Sequence, residues 1–125
     1  MPETPETHKE IVAIKAEIKD IKATQELNIR LNKDRYLSYV YKVIGSSKER
    51  ALVFLAINGA RTLAEVSKKT RIKPPNVTRA KKILEKGGLI YKLPDSGIYA
   101  KPRWVQVLNI DEYIRSKFGI EDLYE

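Results

Sequence analysis

The chain has 125 residues, enough for one compact domain with an appended element but hardly for two independent cores. It has no cysteine and a single histidine, and we find no nucleophile–base pair or metal-ligand set, so we expect no enzyme activity, metal or cofactor. No stretch approaches the roughly 20 apolar residues that cross a bilayer, and the N-terminus lacks the basic start and apolar run of a secretory signal. We therefore expect a cytoplasmic protein without a membrane segment.

The net charge of +8 is concentrated in the middle of the chain. Residues 47–103 contain fourteen Lys and Arg against four Asp and Glu, whereas residues 1–46 carry +1 and residues 104–125 carry −3. A basic segment between nearly neutral and acidic ends indicates a surface for a polyanion such as DNA, in a nucleoid-associated protein. Abundant Lys, Glu and Ile beside one Met is typical of hyperthermophile proteins and favours an archaeal type.

Residues 1–6 are expected to be disordered and residues 7–45 to form a helical dimerisation segment. Four isoleucines from Ile11 to Ile21 follow a 3-4-3 spacing, which suits a coiled-coil seam better than a globular core. Beyond them either one long helix shifts phase or two helices meet near residues 32–34, and a capping Asp34 favours two. The predicted dimerisation residues are Ile11, Ile14, Ile18, Ile21, Leu27, Leu31, Leu37, Val40, Tyr41 and Ile44.

Three capping-box spacings predict the starts of three further helices. The first opens an apolar, buried helix over residues 51–57 that ends at Asn58-Gly59. The second opens a short helix through about Lys69, and the third opens a helix that ends at Gly119. The paired residues are Ser46 with Glu49, Thr62 with Glu65, and Asn109 with Glu112.

Between the last two of these, a helix is predicted to begin at Pro74 or Pro75, run to Lys86 and end at Gly87-Gly88. Residues 89–93 then predict a strand, and residues 94–97 a turn. Residues 104–108 predict the returning strand, with residues 98–100 as the alternative. The inward residues of the helix are predicted to be Val77, Ala80, Ile83 and Leu84.

Helix, short helix, tight turn, helix, strand, loop and strand is the order of a winged helix-turn-helix. The predicted fold class is therefore mainly α with a small β wing, preceded by a long N-terminal helical dimerisation segment. The winged helix-turn-helix domain is assigned to residues 46–109, and a C-terminal helix and tail to residues 110–125.

The segments 63–66 and 72–90 resemble the helix-turn-helix of MarR- and ArsR-type regulators, and the resemblance extends over residues 47–109. Asp95, Arg103 and residues 105–109 are similar to the MarR pattern, with Asn109 in place of its usual threonine. The resemblance implies a dimer that binds double-stranded DNA. The chain departs from it in having one short helix after the wing and no metal-ligand cluster, so dimerisation falls to residues 7–44 and an effector is not implied.

The helix that starts at Pro74-Pro75 is predicted to lie in the major groove, where Arg79 can bind guanine bidentately and Asn76 can pair with adenine or a phosphate. Basic residues around its start are predicted to contact phosphates, and the wing to reach the minor groove. The predicted DNA-binding residues are Pro75, Asn76, Thr78, Arg79 and Lys82 on the helix, Lys68, Lys69, Arg71 and Lys73 before it, and Lys92, Ser96, Gly97, Lys101 and Arg103 on the wing.

These features favour a sequence-specific transcriptional regulator that acts as a homodimer on double-stranded DNA. Plasmid or chromosome partition and an architectural chromatin role are alternatives that the sequence leaves open. A winged-helix module for protein–protein contacts is a further alternative, because the isoleucine stripe could bind a helix of another protein.

Overall fold

The computed structural model describes residues 5–121, which form seven helices and one two-stranded sheet. Helix α1 spans Pro5–Leu31 and α2 spans Lys33–Ile44. The predicted break near residues 32–34 is confirmed, but Asn32 occupies the position before α2 and Asp34 lies in its first turn. Residues 1–4 of the predicted disordered segment lie outside the described residues, as do residues 122–125 of the predicted tail.

Helices α3 (Lys48–Ala56), α4 (Leu63–Thr70) and α5 (Pro74–Lys86) pack on one another. The helix predicted over residues 51–57 is the centre of the core, with Val53 and Phe54 fully buried. Its start is one residue later than predicted, since Ser47 rather than Ser46 accepts a hydrogen bond from the Arg50 amide. The Thr62–Glu65 capping box at α4 is confirmed in both directions.

A short antiparallel hairpin follows α5, with strands β1 (Tyr91–Lys92) and β2 (Tyr99–Ala100). The predicted return at residues 104–108 is wrong, and the alternative at residues 98–100 contains the observed strand. Residues 103–107 instead form helix α6, where Val105 is buried. Val105 and Leu108, three residues apart, are buried on one side of this segment, and Trp104 packs against the core.

Helix α7 spans Ile110–Phe118 and ends at Gly119, as predicted. Asn109 precedes it, but with a left-handed backbone (φ 51°) and no side-chain cap, so the predicted Asn109–Glu112 capping box is wrong. Ile110 and Ile114 of α7 pack into the same core as α3.

The hairpin is joined to the helices at two points. Thr62, immediately before α4, forms an isolated antiparallel bridge with Ile98. The Gly59 amide donates to the Tyr99 carbonyl at 3.0 Å. These bonds fix the hairpin beside the start of α4. Among residues 5–121, no helix combines the length and apolar character that a bilayer crossing requires.

Candidate nucleic-acid interface

Helix α5 is held by one face and exposed on the other. Val77, Ala80 and Leu84 are buried against the core, as predicted, whereas Ile83, also predicted to face inward, is 39% exposed and lies at the edge. Pro75, Arg79 and Lys82 lie on the exposed side. Because α5 packs on both α3 and α4, this face has a fixed orientation relative to the rest of the domain.

The turn between α4 and α5 is fixed by side-chain hydrogen bonds. The Ser67 hydroxyl donates to the Ile72 carbonyl at 2.6 Å, and the Thr70 hydroxyl donates to the Val66 carbonyl at 2.8 Å. Arg71 has a left-handed backbone (φ 60°), which turns the chain, and Ile72 is buried. The basic residues predicted to surround the start of α5 are all exposed: Lys68, Lys69, Arg71 and Lys73.

No backbone amide is left free at the first turn of α5. Pro74 and Pro75 have no N–H, and the Asn76 amide donates to the Lys73 carbonyl at 2.9 Å. An anion at this helix start would therefore be bound by side chains, in contrast to the amide-lined sites of other helix starts. The four exposed cations around the turn provide such side chains.

Two of the residues predicted to contact bases, Thr78 and Asn76, are restricted by hydrogen bonding or by burial. The Thr78 hydroxyl donates to the Pro74 carbonyl at 3.1 Å, so its oxygen retains only acceptor capacity, although Thr78 itself is exposed. Asn76 is half-buried at the side of α5 that faces the start of α3, where it lines a small pocket with Arg50 and Arg79. Among the five residues predicted on α5, Arg79 and Lys82 are the charged ones, and both are exposed and form no ion pair within residues 5–121.

The hairpin presents one exposed cation, Lys92 on β1. Ser96 stabilises the turn, since its hydroxyl donates to the Leu93 carbonyl at 3.1 Å and accepts from the Ile98 amide at 3.2 Å. Gly97 is exposed at the tip, beside Asp95 with its positive φ of 54°. The turn is therefore short and internally hydrogen-bonded.

Two predicted wing residues have other positions. The Lys101 side chain is buried, with 8% of it exposed, and its Nζ lies 2.8 Å from Asp111 Oδ2 and 4.5 Å from the centroid of the Phe54 ring. Burial lowers the pKa of Lys101, and the Asp111 charge opposes that shift. Arg103 lies at the first residue of α6 and forms an ion pair with Glu26 of α1, which lowers the pKa of Glu26. The prediction that both side chains project from the hairpin is wrong: Arg103 lies on α6, and the Lys101 side chain lies in the core.

The predicted dimerisation residues divide into two groups. Val40 and Ile44 are fully buried in the core of the domain and Leu37 packs against it, so these three do not form an exposed seam. Tyr41 is 43% exposed and lies under the Lys117 ammonium, 4.0 Å from the ring centroid. Ile11 is half-buried. Exposed along α1 are Ile14, Ile18, Ile21, Leu27 and Leu31, at 46–73%.

Sequence reasoning missed one cation on the exposed face of α5. Lys86 follows Lys82 by four residues and Arg79 by seven, so it belongs to the same helical row, and it is exposed. Continuing the helical spacing to the last turn would have found it. Lys81, by contrast, pairs with Glu85 at 3.5 Å and lies 5.4 Å from the centroid of the Tyr99 ring, towards the hairpin.

Within residues 5–121, the exposed cations on and around α5 form no ion pairs. The set comprises Lys68, Lys69, Arg71, Lys73, Arg79, Lys82, Lys86 and Lys92. In the same part of the chain, no cluster of His, Asp and Glu side chains forms a candidate metal site. The arrangement presents positive charge without acidic partners, as expected of a face that binds a polyanion.

Comparison with protein-family models, curated proteins and solved structures finds no match to this chain.

Proposed function

We propose that the chain is a dimeric winged helix-turn-helix protein that binds double-stranded DNA, and that it acts as a sequence-specific transcriptional regulator. The observation that carries this proposal is the state of α5: its apolar face is anchored on α3 and α4, and its opposite face displays Arg79, Lys82 and Lys86 without ion-pair partners among residues 5–121. An exposed helix of this kind has the width and charge to enter a major groove.

In this arrangement Arg79 is the base-reading residue, because a guanidinium can donate two parallel hydrogen bonds to guanine O6 and N7. Thr78, whose hydroxyl proton is already used, contributes its methyl group and an acceptor oxygen. The cations before α5 contact phosphates and fix the register of the helix in the groove. Lys92 on the hairpin reaches the flanking backbone or minor groove.

The proposed site needs no metal or cofactor and performs no covalent chemistry, so the protein is proposed to be a binding protein rather than an enzyme. Its affinity is expected to fall with added salt, since each lysine or arginine that contacts a phosphate releases counterions.

Selection of duplexes from a random pool, with the full chain at physiological salt, tests the proposal. A two-fold dimer that reads sequence enriches a palindrome with half-sites about 10 bp apart, or a multiple of that. An enriched tandem array would favour a partition role, and binding without enrichment would favour an architectural role. Absence of any retained DNA would refute DNA binding.

A further inference from the structure

Helix α1 leaves an apolar stripe uncovered. Ile14, Ile18 and Ile21 are 56%, 46% and 55% exposed, and they continue the spacing that begins at Ile11. The end of α1 is attached to its own domain, where Glu26 pairs with Arg103 and Ile29 packs against the core. The stripe from Ile11 to Ile21 therefore lies on the part of the helix that precedes this attachment.

Between Lys15 and Lys22, the charged neighbours along α1 have like signs. Lys15 and Lys19 are four residues apart, Lys19 and Lys22 are three apart, and Glu17 and Asp20 are three apart. Side chains at these spacings are neighbours on a helix, and like charges there are destabilising. Opposite charges must come from elsewhere for this surface to be favourable.

The charged residues that flank the stripe are acidic on one side of it and basic on the other. Glu10 and Glu17 each precede an isoleucine of the stripe on one side, and Lys15 and Lys22 each follow one on the other side. Within residues 5–121 none of these four side chains forms an ion pair. These are the positions where coiled coils place the charges that set partner and orientation.

We propose that α1 pairs with α1 of a second copy of this chain as a parallel, in-register coiled coil. The proposal rests on the dimer in the proposed function and adds the relative orientation of the two α1 helices. In a parallel pair, the residue that precedes the first seam isoleucine of each heptad faces the residue five positions later on the other helix; here these residues are Glu10 and Glu17. Glu10 then faces Lys15 of the second copy and Glu17 faces its Lys22, giving four opposite-charge pairs over the two-fold axis. An antiparallel pair would bring Glu against Glu and Lys against Lys.

The parallel pair places both domains at the same end of the coil. The two Glu26 attachment points are then about 10 Å apart, the usual spacing of packed helix axes. In an antiparallel pair centred on the stripe they would be about 30 Å apart, because roughly 20 residues at 1.5 Å each separate them. Gln25 and Asn28 occupy the next two seam positions, and polar seam residues of this kind fix register at some cost in stability.

Disulfide cross-linking in the full chain tests the orientation, because the chain has no native cysteine. Ile11→Cys and Ile21→Cys, each alone, are expected to oxidise to covalent dimers in high yield. Ala16→Cys, on the face of α1 away from the stripe, is the matched control and should stay uncross-linked. Efficient cross-linking only in an equimolar mixture of Ile11→Cys and Ile21→Cys would show an antiparallel pair and overturn the proposal.

Charge reversal gives a second readout that does not depend on cysteine. Lys15→Glu with Lys22→Glu is expected to weaken the dimer at least 10-fold by sedimentation equilibrium, on the order of what four reversed surface pairs supply. Lys9→Glu with Lys19→Glu makes the same change in net charge away from the seam and should have little effect. In an antiparallel pair the first variant merely replaces Lys–Lys contacts by Glu–Glu contacts, so equal affinity of both variants would overturn the orientation.

A wild-type chain that sediments as a monomer at the highest soluble concentration would overturn the pairing and the dimer together. DNA binding is measured in a separate experiment. Failure of the parallel orientation can therefore be distinguished from failure of the proposed function.

Discussion

Removal of the Lys101 charge is expected to destabilise the fold and leave DNA binding intact. Lys101→Met keeps an unbranched apolar chain beside Phe54 and removes the ammonium group that lies 2.8 Å from Asp111 Oδ2. Asp111 Oδ1 is already buried without a hydrogen-bond partner among the described residues. Lys101→Met would also remove the ion-pair partner of Oδ2, which leaves the carboxylate without a compensating charge.

The size of the effect follows from burial. Removing one partner of a fully buried ion pair costs roughly 3–5 kcal/mol, and an exposed pair contributes about 0–1 kcal/mol. The Lys101 side chain is 8% exposed and that of Asp111 is 33% exposed, so water can partly solvate the remaining carboxylate. We expect a loss of about 2 kcal/mol in the free energy of unfolding, equivalent to about 8 °C in Tm for a chain of this size.

Urea and thermal unfolding of Lys101→Met, Asp111→Leu and the double variant measure this coupling directly. Lys92→Met is the matched control: the same chemical change on the exposed hairpin should leave Tm within about 1–2 °C and lower the affinity for DNA. A Lys101→Met protein with unchanged Tm and weakened DNA binding would refute the placement of Lys101 in the core.

Three further predictions address packing, the N-terminal helix and acid stability. A Cβ at Gly87 would lie 2.7 Å and 2.9 Å from the two Val43 methyl groups, so Gly87→Ala should lower the free energy of unfolding in urea by about 1–3 kcal/mol. Adding Val43→Ala should restore most of that free energy. If the double variant recovers nothing, the loss does not come from this steric contact. Deleting residues 1–22 removes the exposed isoleucines but keeps Ile29 in place, so the domain should retain its Tm while the dimer dissociates in light scattering; an unchanged dimer would contradict the role of α1. The hydrogen bond from the Thr62 amide lowers the pKa of Glu65, so the stabilisation that ionised Glu65 provides is present above the unfolded pKa of about 4.3 and is lost as the pH falls through the lower folded value. Glu65→Gln should therefore lose less stability on acidification than the wild type. An acid transition identical to that of the wild type would contradict the capping box.

Several elements were predicted from local signals, although of the three capping boxes only the Thr62–Glu65 pair is present as predicted. Pro74-Pro75 at a helix start, Gly87-Gly88 at its end and the reciprocal Thr62–Glu65 cap each depend on neighbours within a few residues, and each appears in the structure. The spacing of Val77, Ala80 and Leu84 likewise identified the buried face of α5.

Predictions that depended on distant packing were less successful. The short apolar segment 104–108 is compatible with a strand or with a short helix, and the contacts of α6 with α1 and α7 decide between them. That error carried Arg103 onto the wing. Lys101 was misplaced because no local pattern shows that Asp111, ten residues later, lies beside it.

The apolar residues of the N-terminal segment raised a related difficulty. Val40 and Ile44 have the same spacing as the isoleucines of α1, yet they are covered by the protein's own core while Ile14 and Ile18 stay exposed. A periodic stripe reports that a helix face is apolar, and the tertiary structure determines what covers it.

The affinity of full-length Arg79→Ala for a selected duplex and for random duplex of equal length is the most direct test of the proposed role of α5. We expect a loss of about 1–3 kcal/mol on the selected sequence and a smaller loss on random DNA, whereas Lys69→Ala should weaken both alike and Lys19→Ala on α1 neither. Equal losses on both duplexes for Arg79→Ala would contradict base reading. Wild-type affinity of Arg79→Ala on both duplexes would contradict the assignment of this face to DNA.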